Sequence, residues 1–108
     1  MNQIIFPEKA VSELMPITVN FSDRLQFGEV LNGASVAVTV FSGTDPSPIS
    51  LLSGAATHTD TDVTQNFTGG VAGVVYNVVY LVTGTNSHNY VKVGQFAVVS
   101  DSNPFVTV

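Results

Sequence analysis

The chain has 108 residues, enough for one domain with a single modest core and too few for a second independent one. Eight acidic against three basic residues give a net charge of -5, which excludes the basic footprint that direct nucleic-acid binding requires. Hydrophobic residues make up 44% and charged residues only 10% of the chain, against a usual charged share of about 25%. Ser, Thr, Asn and Gln fill the remaining polar positions and supply little repulsion between copies, so a protein living in an assembly is expected. There is no cysteine, which removes disulfides, thiolate metal sites and cysteine nucleophiles.

In chain order, Ile4, Ile5 and Phe6 precede Pro7, which fixes its own φ and pushes Phe6 toward an extended conformation. Residues 1–14 are therefore expected to be an extended arm. Its apolar triplet needs burial, along the edge of its own sandwich or against a neighbour. Glu8 and Lys9 follow the apolar patch, the reverse of a signal peptide's order, and the protein is expected to be made without classical secretion. Ile17, Val19 and Phe21 alternate with Thr18, Asn20 and Ser22 as in a half-buried strand.

Residues 25–34 carry two glycines and are expected to connect, with a short pairing around Glu29 to Leu31 as an option. Val36, Val38 and Val40 alternate with Ser35, Ala37 and Thr39 in a second strand. Two prolines within three residues, Pro46 and Pro48, mark a turn, and Pro48 confines the piece Ile49 to Leu52 to a sheet edge or excludes it from a ladder. A further strand beginning at Ala55 to Asp60 is expected to join the run ending at Phe67.

The stretch 64–99 reads as three consecutive strands and two turns, the signature of an antiparallel β-sandwich of about seven strands. No apolar run reaches the roughly 18 residues of a membrane helix, since Gly73 and Asn77 interrupt Val71 to Leu81. In Val75 to Val82, the sets Tyr76/Val78/Tyr80/Val82 and Val75/Asn77/Val79/Leu81 are both largely apolar. Such a strand is central, or its outer face meets another chain; Tyr90 to Val99 is similarly mixed, so the two form a candidate partner surface, unless a flap or the arm covers it. Tyr76, three residues after Gly73, is expected to be a structural corner, its hydroxyl reaching back to an upstream backbone group.

His58, Asp60 and Asp62 would share one face of an extended strand, but the spacing matches no metal loop and calcium needs more oxygen ligands, so no metal site is assigned. Glu8, Glu13, Glu29 and Asp45 fall in separate loops, His88 sits in a polar loop, and neither a nucleophile elbow nor a phosphate loop occurs. No catalytic residue and no cofactor is expected. The Asn20-Phe21-Ser22 and Asn66-Phe67-Thr68 triplets lie in strands and read as structural.

The segment GEVLNGASVAVTVFSG, followed by TGGVAGVVYNVVYLVT and a hairpin return, resembles the small immunoglobulin-like proteins of tailed bacteriophages over residues 15–99. Gly69 through Tyr76, a GGxAGxxY turn, carries most of the likeness, whereas Arg24 stands where that family commonly has an aromatic residue. The resemblance implies an immunoglobulin-like sandwich over residues 15–100 with an N-terminal arm (1–14) and a C-terminal tail (101–108). It also implies a non-enzymatic virion structural protein assembled in the host cytoplasm. A connector or tail/fibre adaptor is favoured, with a capsid decoration protein as the alternative. Its partners would be portal, tail, fibre or capsid proteins and further copies of itself, with neither nucleic acid nor membrane. Apolar chain ends anchor well along a neighbour's sheet edge, so Ile4, Ile5, Phe6, Phe105, Val106 and Val108 are the partner-contact candidates. A carbohydrate-binding or adhesin module would need exposed aromatic residues, yet Trp is absent and the three Tyr lie in strands.

Overall fold

The computed structural model describes residues 4–101. They form two β-sheets in a sandwich-like arrangement, and no helix among them is long and apolar enough to cross a membrane. The strands are β1 (Ile4–Ile5), β2 (Lys9–Ala10), β3 (Met15–Asn20), β4 (Leu31–Ser42), β5 (Leu52–His58), β6 (Asp62–Phe67), β7 (Val75–Gly84) and β8 (Asn89–Val99), with one 3-10 turn at Pro48–Leu51. The larger sheet runs β1-β8-β7-β4, with β2 also on β8, and the smaller runs β3-β6-β5. Molecular extents of 51 × 28 × 26 Å make an elongated body.

The period-two pattern decides which residues face inward. In β7 the buried set is Tyr76, Val78, Tyr80 and Val82; in β3 it is Ile17 and Val19; in β6 it is Val63, Gln65 and Phe67. Phe67 and Phe96 meet across the sandwich at 5.3 Å between ring centroids, and Phe96 also contacts Tyr76 at 5.8 Å. These offset, tilted rings suit the aromatic quadrupole. Gln65 is tolerated in this interior because its Nε2 donates to the Gly54 carbonyl at 3.1 Å and the Asn66 carbonyl at 2.9 Å. On the solvent side of the small sheet, Thr18 and Thr64 sit opposite each other with hydroxyls 2.7 Å apart, a cross-strand pair of the kind that fixes register.

Two expectations need revision. The sheets are not purely antiparallel, because β1 and β2 both run parallel to β8, Ile4 against Gly94 and Lys9 against Val98. The run from Ala55 to Phe67 is a β5–β6 hairpin rather than one strand, since Thr59 N–H donates to the Asp62 carbonyl at 2.9 Å and turns the chain. That turn removes the extended face on which His58, Asp60 and Asp62 would have aligned. Among the described residues no group of three or more His, Asp or Glu side chains could hold a metal ion.

Candidate interaction surfaces

The arm is part of the large sheet. Phe6 N–H donates to the Gln95 carbonyl at 2.8 Å, and the ring, only 9% exposed, lies over Gly94 and meets Tyr80 edge-on at 6.2 Å. A Cβ on Gly94 would stand 2.6 Å from Phe6 Cζ, so glycine is what lets the ring enter. From Ile5↔Gln95 to Lys9↔Val98 the arm advances four residues while β8 advances three, and the extra residue is taken up around Pro7, which has no N–H to pair. Of the N-terminal contact candidates, then, Phe6 is turned into the chain's own core, Ile4 packs half-buried against it, and Ile5 is 75% exposed. Phe105, Val106 and Val108 lie outside the described residues.

Lys9, which nothing in the sequence marks as special, fastens the arm. It is fully buried, and its ammonium donates to the carbonyls of Ala10 at 2.7 Å, Val11 at 3.0 Å and Gly69 at 2.7 Å. Burial pushes its pKa down, opposed by the nearby carboxylates of Glu13 and Asp101. The Gly69 contact ties the arm to the β6–β7 crossover. At the same end of the body Tyr76, fully buried, accepts the Val71 N–H at 3.0 Å and donates to Asp45 Oδ2 at 2.7 Å. Asp45 in turn accepts the Ser47 N–H at 2.9 Å, so the phenol links the crossover to the loop after β4. Burial first, and the hydrogen bond to Asp45 second, push the Tyr76 phenol up to about 12.

At the opposite end, the connection after β3 packs against the β7–β8 hairpin through Glu29. This carboxylate is 4% exposed. Its Oε1 accepts the Gln26 N–H at 3.0 Å and the Tyr90 hydroxyl at 2.7 Å; its Oε2 accepts the Asn86 N–H at 3.3 Å and lies 3.4 Å from His88 Nδ1. The Gln26 amide is the largest reason that Glu29 is held below the ordinary carboxylate range, ahead of Tyr90, Asn86 and His88, with burial opposing. All three tyrosine hydroxyls are thus engaged internally, Tyr80 donating to the Ile17 carbonyl at 3.0 Å across the two sheets. None of them is displayed as a sugar-stacking platform.

The remaining surface is the outer face of the large sheet. The outward positions of β7 and β8 are Val75, Asn77, Val79, Leu81 and Thr83, and Val91, Val93, Gln95, Ala97 and Val99. Ser35, Ala37 and Thr39 continue the face on β4. None of these residues carries a charge. Leu81, between Ser35 and Val91 on the neighbouring strands, is 44% exposed, and the polar pair Asn77–Gln95 satisfies itself with a 2.9 Å side-chain hydrogen bond. Because β1 and β2 add to the edge of β8, the arm widens this sheet rather than covering its face.

Among the described residues, short polar loops, engaged tyrosines and an uncharged sheet face offer contact surface. No curated protein sequence matches the chain. The family model of the podophage GP4 fiber-tail adaptor protein gp77 matches residues 9–98, nearly the whole described body, so the protein belongs to that family and is a structural adaptor of the phage tail, a virion component that contacts other virion proteins.

Proposed function

We propose that the chain joins tail to fibre as a non-enzymatic spacer, assembled in the host cytoplasm, that packs laterally through the outer face of its large sheet, against further copies of itself, and reaches other virion proteins through its two ends. The observation that carries this reading is the uncharged outer face. An acidic chain with a net charge of -5 keeps every one of its acids off this face. Depletion of charge at the centre of a patch is the compositional mark of an interface, and an apolar sheet face of this breadth is uncommon on a free monomer.

In this reading Tyr76 is a corner that holds the crossover rigid, and the tail residues Phe105, Val106 and Val108 anchor in a neighbour, with Ile5 as the arm's outward contribution. Light scattering of purified protein tests the lateral contact. The wild type is expected to form a defined oligomer that Leu81→Lys disperses to monomer without loss of the β-sheet circular-dichroism signal. A monodisperse wild-type monomer at all concentrations would refute self-packing through this face. Capsid decoration and sugar binding have no observation in their favour.

A further inference from the structure

Phe27 is the most exposed large apolar residue of the described chain, at 106% of its reference surface. It sits on a closed turn. Glu29 N–H donates to the Gln26 carbonyl at 2.9 Å, with Phe27 second and Gly28 third at φ +81°, the pattern of a type II turn whose third position favours glycine. The turn is backed from inside. The Glu29 carboxylate returns to the Gln26 N–H and is itself held by Tyr90 and Asn86. Burying a carboxylate is costly unless it is fully hydrogen-bonded, and a loop that merely connects two strands does not require it. What this construction accomplishes is to fix the backbone beneath an exposed phenyl ring, so that little ordering remains to oppose binding.

The charge around the ring is also distinctive. Of the three basic residues, Lys9 is buried on backbone carbonyls and Lys92 is paired with Asp23 at 2.7 Å. Arg24, three residues before Phe27, is exposed, lies 5.7 Å from the Tyr90 ring centre and has no carboxylate partner among the described residues. Among the described Lys and Arg residues, the one without a carboxylate partner or full burial therefore stands in the same connection as the ring, its guanidinium only 3.5 Å from the Val91 carbonyl oxygen.

We propose that Phe27 is a preformed anchor that enters an apolar socket, rimmed by at least one carboxylate, on a different virion protein. A different chain is the occupant proposed because an end of an elongated body docking into another copy makes a heterologous contact, which propagates into filaments unless its rotation closes a ring. Large aromatic residues seated in a desolvated pocket with polar contacts around them are the usual energetic centres of interfaces. The inference rests on the adaptor reading, and its test separates the two.

Phage particles are made with the wild-type chain, with Phe27→Ala, with Arg24→Gln and with the gene deleted, and this chain and the fibre protein are counted per particle by quantitative mass spectrometry. Purified Phe27→Ala is expected to unfold in urea as the wild type does. In particles it is expected to lower, by tenfold or more, either its own copy number or that of the fibre, depending on which partner holds the socket. Arg24→Gln should give a smaller loss, and raising salt should detach wild-type fibres toward that level. Wild-type amounts of both proteins in Phe27→Ala particles would overturn the anchor, as would a large loss of stability, which would make the ring a packing residue. Fully fibred particles from the deletion would overturn the adaptor reading itself, whatever Phe27 does.

Discussion

Phe6 and Phe27 both lie outside the long strands, and they end in opposite environments. Phe6 belongs to an arm whose apolar triplet reads as buried either along its own sandwich or against a neighbour, and its ring is 9% exposed over Gly94. Phe27 belongs to a stretch that reads as a plain connection, yet its ring is fully displayed on a turn held by a buried carboxylate. The difference lies in what stands opposite. A glycine in the facing strand gives the arm's aromatic a place to enter, whereas the turn at Gln26 to Glu29 spends its interior contacts on a carboxylate and leaves its aromatic outside. Apolarity alone does not say whether a residue faces its own core or a partner; a void of the right shape does.

Removing the Phe6 ring breaks the comparison most sharply. Phe6→Ala should cost about 3–5 kcal/mol, the range for emptying an aromatic core site, read from the urea midpoint at unchanged slope. Gly94→Ala approaches the same contact from the other side. Its new methyl meets the ring and stands 3.0 Å from the Ile4 carbonyl oxygen, so a loss of about 1–3 kcal/mol is expected, the range for overpacking. That loss should shrink in the Phe6→Ala background, because residues in contact are not additive; an unchanged penalty in the double variant would show that the ring does not occupy the glycine's space.

Tyr76→Phe, which keeps the ring and deletes the hydroxyl shared by Val71 and Asp45, should cost about 1–2 kcal/mol by the ordinary worth of such bonds. Spectrophotometric titration should find one phenol ionising near 12 in the wild type and lost in the variant. A phenol whose folded pKa is raised contributes stability below the unfolded value of 10.0 that is lost as the pH climbs through about 12.

Glu29 governs the other end. Its carboxyl is held below its unfolded value of 4.5, so the stability it contributes is present above that pH and is lost as the pH falls through the lower folded value. Glu29→Gln should therefore flatten the acid limb of the stability profile, and protection of the Asn86 amide against hydrogen exchange should fall. The Asp23 and Asp101 carboxyls, depressed by Lys92 and by Ser12, keep part of that limb in the variant. Phe27→Ala should have the smallest effect of all, within about 0.5 kcal/mol, as for an exposed side chain with no special contact.

Much of the fold was legible in the residues. Alternation in Ile17 to Phe21 and in Val36 to Val40 specified strands and their inward sets, because a pleated strand exposes side chains to alternate faces and water sorts them by polarity, whereas Val75 to Val82 read as a strand with both sets apolar. The small residues before Tyr76 marked the crossover. Strand boundaries inside Ala55 to Phe67 were not legible, since Thr-His-Thr-Asp-Thr-Asp alternates as well as a strand does and the turn is closed by Thr59, whose N–H donates to the Asp62 carbonyl and whose hydroxyl accepts the Thr61 and Asp62 N–H groups. Nor was the parallel seat of the arm, the burial of Lys9 or the display of Phe27. Each of these is settled by a group more than fifty residues away: Gly94 beneath Phe6, the Gly69 carbonyl at Lys9, and Tyr90 and Asn86 at Glu29. Periodicity is a local property, carried by neighbours along the chain, and it determined the strands. Burial of a single polar or aromatic side chain depends on which distant backbone completes its hydrogen bonds or leaves it room, and only the assembled sheets decide that.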